Sequence, residues 1–216
     1  RDVPMFAPRM PAPTIGRLWT MLANGQASLL NRSRMASALG VASPTIGRYV
    51  DLLVDLQLVR RLPPWSSNIG KRLLRSPKLY VRDSGIVHAL LELESWDQIL
   101  GHPVVGASWE GFVVENLIAA AGGRLTPYFY RTQDGTEIDL LFEQAGRPTL
   151  AVEIKRSTAP SITKGFGLSC KDLGVDARYV VYPGRERYPM AEGVTVIPLL
   201  RLMQEIGGSG QTSARS

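Results

Sequence analysis

Two short runs constrain this chain more than any other part of it: Glu137-Ile-Asp-Leu-Leu-Phe-Glu143 and Leu150-Ala-Val-Glu-Ile-Lys155. Both alternate or fill with apolar residues as neighbouring strands do, and Gln144-Ala-Gly-Arg-Pro148 between them suits a hairpin turn. Residues two apart on a strand share a face, so Glu153 and Lys155 lie together while Val152 and Ile154 take the other side. Hairpin pairing brings Asp139 near Glu153. Two carboxylates beside an ammonium, on strands otherwise fit for a core, are costly to bury without a partner. A divalent cation held by Asp139 and Glu153, with Lys155 facing a phosphate or a water, accounts for the arrangement. The plain alternative is a Glu–Lys pair on a solvated sheet face.

With 216 residues, 44% of them hydrophobic, the chain can hold one large domain or two small ones. A single cysteine, Cys170, excludes an internal disulfide and reads as a small core residue; no Cys/His cluster suggests zinc. Neither a signal peptide nor an apolar run of membrane-spanning length is found, so a cytoplasmic protein is expected, without a membrane partner. The net charge of +6 is unevenly placed. Residues 1–100 carry 13 Lys/Arg against 7 Asp/Glu, whereas residues 101–216 carry 12 of each. That asymmetry suggests two domains, the first with an anionic partner.

Residues 1–13, rich in proline and methionine, read as a lead-in. A helix over 14–23 follows, with Ile15, Leu18, Trp19 and Leu22 on one face, and then a short helix over 34–39 closed by Gly40. Ser43 and Pro44 suit the start of a helix running to Leu56, whose inward face is Ile46, Tyr49, Val50, Leu53 and Leu56 or Val54. This is a helix-turn-helix pattern. A strand over 57–62, a turn or wing tip from Pro63 to Lys71, and a returning strand over 78–81 extend it to a winged helix spanning 14–91. Between Leu56 and Arg82 stand seven cations (Arg60, Arg61, Lys71, Arg72, Arg75, Lys78, Arg82) and no acid. One reading makes Thr45 and Arg48 the groove-facing residues and Arg60, Arg61, Lys71, Arg72 and Arg75 the phosphate contacts of a DNA-binding module. The other makes the same fold a protein–protein or interdomain spacer, since the second helix also carries Asp51 and Asp55. Asp83 caps a helix over 83–91, and His88 and His102 read as structural.

After a connector over 92–105, residues 106–121 are strongly helical, with Ser108 a possible cap. At 100° per residue, Trp109, Phe112, Val113, Leu117 and Ala120 share a face. Glu110 lies at its flank and needs a partner or a metal, whereas Glu115 points away. Strands over 124–131, 137–143 and 150–155, a helix over 161–173, strands over 175–182 and 194–197 and a helix over 198–206 complete an α/β layer with a mixed sheet. The glycine- and serine-rich tail, 207–216, reads as disordered.

Glu110 on the helix, Asp139 on the second strand and Glu153-Ile-Lys155 on the third resemble the PD-(D/E)xK nuclease superfamily, whose element order is αβββαβ. The resemblance implies a restriction-endonuclease-like mixed sheet flanked by helices over 106–206. It implies Asp139 and Glu153 as ligands of Mg²⁺ or Mn²⁺, Lys155 as the residue that orients the attacking water, and Glu110 as an auxiliary catalytic acid. The proline usual before the aspartate is replaced by Ile138. A longer resemblance runs through Arg1-Asp-Val-Pro, Pro77-Lys-Leu-Tyr-Val-Arg-Asp-Ser-Gly85, Gly106-x-x-Trp-Glu-Gly-Phe-Val113, Glu137-Ile-Asp139, Val152-Glu-Ile-Lys155 and Val181-Tyr-Pro-Gly184. It is similar to the C-terminal region of predicted prokaryotic AAA+-type ATPases, often catalogued as a domain of unknown function. That implies an upstream P-loop ATPase module as partner. No G-x-x-x-x-G-K-[ST] occurs here, so ATP is expected only through that module.

Three functions follow as expectations. The first is Mg²⁺-dependent phosphodiester hydrolysis on DNA, and the second a non-catalytic DNA-binding or docking platform for the ATPase module. The third is a transcription regulator reading DNA through residues 43–56.

Overall fold

A computed structural model describes residues 11–66 and 76–208. The expected lead-in up to residue 10, the cations Lys71, Arg72 and Arg75, and the tail beyond residue 208 lie outside the described residues. Two compact units result: 11–61 with 76–111, and 62–66 with 112–208.

The first unit begins with α1 (Ala12–Asn24), β1 (Ser28–Leu29), α2 (Arg32–Leu39) and α3 (Ser43–Asp55). Ile15, Leu18 and Leu22 of α1 meet Ile46, Val50 and Leu53 of α3 in one apolar core, at the helical spacing the sequence displays. Asn31 caps α2 by accepting the Arg34 N–H at 3.0 Å, and Gly40, at φ 65°, closes it. Ser43 is the first residue of α3 rather than its cap; Ala42 holds that position without a side-chain bond. β2 (Val59–Leu62) and β3 (Lys78–Val81) join β1 in a three-stranded sheet of order β1-β3-β2. α4 (Ser84–Leu90), capped by Asp83 as expected, and α5 (Trp96–Gly101) follow.

α6 (Val105–Ala121) is divided between the units at Gly111 and Phe112, whereas the sequence places the boundary at the 92–105 connector. The helix is apolar nearly all round, so periodicity alone does not select its faces. Phe112, expected inward, is 41% exposed, and Val114 is buried instead. Ser108 is interior to the helix, where its hydroxyl meets His88 Nε2 at 2.9 Å.

The second unit is a six-stranded sheet of order β4-β5-β6-β7-β9-β8. β4 (Thr126–Arg131), β5 (Glu137–Gln144) and β6 (Arg147–Ile154) are antiparallel neighbours; β7 (Ala177–Tyr182) and β9 (Val194–Pro198) continue parallel to β6. The β5–β6 turn is Ala145-Gly146, both at positive φ, as a two-residue hairpin favours. α7 (Lys164–Asp172), capped by Thr163, forms the β6–β7 crossover; its Phe166 and Cys170 pack on the sheet with Ile138, Leu141, Ala151 and Val180. The two-residue edge strand β8 (Tyr188–Pro189) is too short to leave a periodic signal. α8 (Leu199–Gly208) runs two residues into the expected tail.

Trp65 departs most from expectation. Among the basic residues after Leu56 it reads as part of a wing tip, yet it is buried in the second unit's core. Its backbone N–H donates to Phe129 O at 2.7 Å, the Phe129 N–H to Pro63 O at 3.0 Å, and its indole N–H to Glu143 Oε2 at 2.7 Å. Residues 63–65 thus cover part of the β4 edge, which would otherwise present open backbone groups.

Candidate active site

Near the C-terminal end of β6 the sheet opens. The last antiparallel pair between β5 and β6 is Leu140 opposite Val152; one step further along, the strands carry Asp139 and Glu153. On its other side β5 makes a bulge against β4: Tyr128 faces Leu141 and Tyr130 faces Ile138, so three steps of β5 match two of β4. Asp139 lies within that bulge. Such an insertion re-aims a side chain locally, and it interrupts the alternation on which the sequence reading of β5 rests.

Along β6 the amide directions alternate. Lys155 donates its N–H to Val181 O at 2.9 Å on the β7 side, so the Ile154 N–H points toward β5. There the Asp139 Oδ2 accepts it at 2.8 Å. The aspartate thereby satisfies a backbone donor at the point where the ladder ends. Glu153 is 5% exposed. Its Oε1 lies 2.6 Å from the Lys155 Nζ, a charge-assisted pair whose lysine end reaches solvent. Asp139, Glu153 and Lys155 therefore do come together, as the hairpin register implies.

Cys170 belongs to the same core. Burial pushes its thiol up to about 12, with Arg178 opposing the shift and Glu153 and Glu192 adding to it. A thiol so placed is no nucleophile at neutral pH.

The donor chemistry here is hard oxygen, from two carboxylates. Among the described residues no group of three or more His, Cys, Asp and Glu side chains is placed to hold a metal, so an all-protein cage is absent from them. Mg²⁺ is commonly held by one or two carboxylates with waters and substrate phosphate oxygens completing its shell. Asp139 and Glu153 fit that pattern.

Glu110 sits in the first unit with its own partners. Its Oε1 accepts the Tyr80 hydroxyl at 2.7 Å and the Lys78 ammonium at 3.1 Å. Lys78, one of the seven cations of the basic stretch, is buried rather than offered to solvent. Next to Glu110, a Cβ on Gly111 would approach the Gln26 Nε2 to 2.5 Å, so only glycine fits. That Gln26 amide accepts the Val81 N–H at 2.8 Å and donates to Val81 O at 3.0 Å. The sequence signal for this cluster was the pair Lys78 and Tyr80, two apart on an apolar strand; Gln26, remote in sequence, left none. His88 is held below its ordinary value by burial, with Asp83 opposing and His102 adding, which suits a structural residue bonded to Ser108.

Of the residues expected to touch nucleic acid, Arg48 is exposed on α3 and donates to the Thr45 hydroxyl at 3.2 Å. Arg61 pairs with Asp51 on the surface. Arg60 is half-buried. Among the described residues no helix is long and apolar enough to cross a membrane.

Comparison with known families matches residues 1–97 to a "Domain of unknown function (DUF8612)" and residues 105–202 to a "Domain of unknown function (DUF4143)". Uncharacterized proteins of Mycobacterium tuberculosis and Mycobacterium bovis are each 43% identical over 201 residues, which is 92% of this chain and 44% of each relative. The chain therefore spans under half the length of those relatives. No solved structure matches it.

Proposed function

We propose that the second unit is a divalent-metal-dependent phosphodiesterase of the PD-(D/E)xK type. On this reading the first is a winged-helix module that associates with DNA, and the whole is the C-terminal part of an AAA+-type ATPase. One observation carries the catalytic reading: a buried glutamate paired with a lysine on one strand, beside an aspartate placed by a bulge on the next. Hydrolysis of a phosphodiester breaks one P–O ester bond; water supplies a hydroxyl to phosphorus and a proton to the leaving sugar oxygen. Asp139 and Glu153 would hold Mg²⁺ or Mn²⁺, and the bound ion supplies charge neutralisation at the phosphoryl group. Lys155 shifts from Glu153 toward the attacking water or a phosphate oxygen and orients it with its ammonium protons. Asp139, through the Ile154 N–H, keeps the two strand ends at a constant separation. ATP would be handled by an upstream module and not by these residues.

The test is calorimetric titration of Mn²⁺ into the parent and into Asp139→Ala, with plasmid cleavage measured beside it. The parent is expected to bind and cleave, the variant to do neither while unfolding cooperatively. Cleavage that survives Asp139→Ala in clean protein overturns the assignment.

The docking reading is favoured by a different observation, the 2.6 Å Lys155–Glu153 pair, which neutralises the glutamate without a metal. It predicts an Asp139→Asn variant indistinguishable from the parent, with no Mn²⁺ heat in either.

A further inference from the structure

Residues 11–50 contain four arginines, Arg17, Arg32, Arg34 and Arg48, and no Asp, Glu or Lys. The first acid after them, Asp51, is taken by Arg61. Arginine without neighbouring carboxylates suits phosphate, whose oxygens match the guanidinium fork.

Within this stretch the pentapeptide Pro-Thr-Ile-Gly-Arg occurs twice, at 13–17 and 44–48, each time early in a 13-residue helix. Both isoleucines are buried, so the proline and isoleucine serve to start and seat a helix. The glycines are harder to explain, because glycine weakens a helix interior relative to alanine. At Gly111 the protein's own packing demands it. At Gly47 it does not: an added Cβ would meet only Arg32, at 3.6 Å from its Nη1 and 3.9 Å from its Cδ, which is ordinary contact. At Gly16 nothing lies within 4 Å. The two sites differ in what stands over the glycine. A cation from a neighbouring helix crosses over Gly47, and none crosses over Gly16.

We propose that Arg32, Gly47 and Arg48, with the Thr45 hydroxyl, form a seat for the sugar-phosphate backbone of duplex DNA, in which the missing side chain at Gly47 leaves room for that backbone beside the two arginines. This rests on the DNA-associated reading of the first unit and adds Arg32 and Gly47 to it. Arg48 already donates to Thr45, so both groups are aligned before a phosphate arrives. Arg32 reaches the same place from α2, which makes the seat a product of the α2–α3 packing.

The experiment is fluorescence anisotropy of a short mixed-sequence duplex against the full chain, in chelator, over a series of salt concentrations. Parent, Arg32→Ala, Gly47→Leu and Gly16→Leu are compared, with thermal unfolding of each. Arg32→Ala is expected to reduce the slope of log affinity against log salt by about 1. Gly47→Leu is expected to bind about ten-fold more weakly while its unfolding midpoint stays or rises. Gly16→Leu, with the same change in helix propensity, is expected to bind as the parent does. Parent-like binding by both Arg32→Ala and Gly47→Leu overturns the seat and leaves the DNA-associated reading standing. A parent that binds no duplex overturns that reading and the seat with it. Retention of the parent on polyglutamate but not on duplex assigns the surface to an acidic protein and likewise overturns the proposal.

Discussion

Each unit contains a glutamate–lysine pair next to a strand, and the two pairs are built in opposite senses. In the second unit the acid is the enclosed partner: Glu153 has 7% of its side chain exposed and Lys155 30%. In the first the cation is enclosed, Lys78 at 5% against Glu110 at 20%. The Glu153 pair is local, two residues apart on one strand. The Glu110 pair joins residues 32 apart, and Tyr80 adds a second bond to the same oxygen. A buried acid under a solvent-reaching lysine can exchange that lysine for another cation. A buried lysine under an acid held twice is a fastening. The two pairs share their residue types and differ in which partner is enclosed, which the residue types alone do not reveal.

The largest test of this difference is Glu110→Leu. It leaves the enclosed Lys78 ammonium and the Tyr80 hydroxyl without their shared acceptor and is expected to lower stability to urea by about 3 kcal/mol. Neither Mn²⁺ nor Mg²⁺ should restore the loss. A loss under about 1 kcal/mol would show that Lys78 finds water.

Lys155→Met comes next. It removes the ammonium beside the Glu153 carboxylate, and a cost of about 2 kcal/mol is expected in chelator, less than for Glu110 because the site opens to solvent. Here Mn²⁺ should recover most of the loss, since a cation can occupy the side the lysine leaves. If the urea midpoint ignores Mn²⁺, the contrast between the pairs is broken and the docking reading gains.

Cys170 supplies the smallest effect. Its thiol is raised from about 9 to about 12, so the fold prefers the neutral form. That contribution is complete below about pH 9 and is lost as pH rises toward 12. Alkylation of the native protein at pH 9 should therefore proceed only at the rate of unfolding. Rapid labelling of folded protein would place the thiol, and the sheet face behind Glu153, in contact with solvent.

Much of this was legible before any coordinates. A hairpin around Gln144-Ala-Gly-Arg-Pro148, the neighbouring positions of Asp139 and Glu153, and the shared face of Glu153 and Lys155 all follow from strand alternation and turn chemistry, which are local. Gly40 marks the end of α2, whose start the sequence places at Arg34 rather than at Arg32 after the Asn31 cap, and apolar spacing locates the inward faces of α1 and α3. Where a segment is apolar on every side, the same reasoning loses its grip. In α6 it turned Phe112 inward and left out Val114.

What tertiary structure alone decided is who partners whom across long separations. Trp65 read as a wing residue because cations surround it in sequence, but its backbone completes the β4 edge and its indole finds Glu143. Lys78 stands in sequence among the cations of the basic stretch, yet it is buried and bonded to Glu110. Gln26 carried no signal, yet its amide bonds both backbone groups of Val81 and, by its closeness, restricts position 111 to glycine. The physical reason is common to all three. Periodicity and capping are set by forces between residues a few positions apart, whereas a buried polar group is satisfied by whichever partner the packed chain brings to it. That partner is known only once the chain has folded.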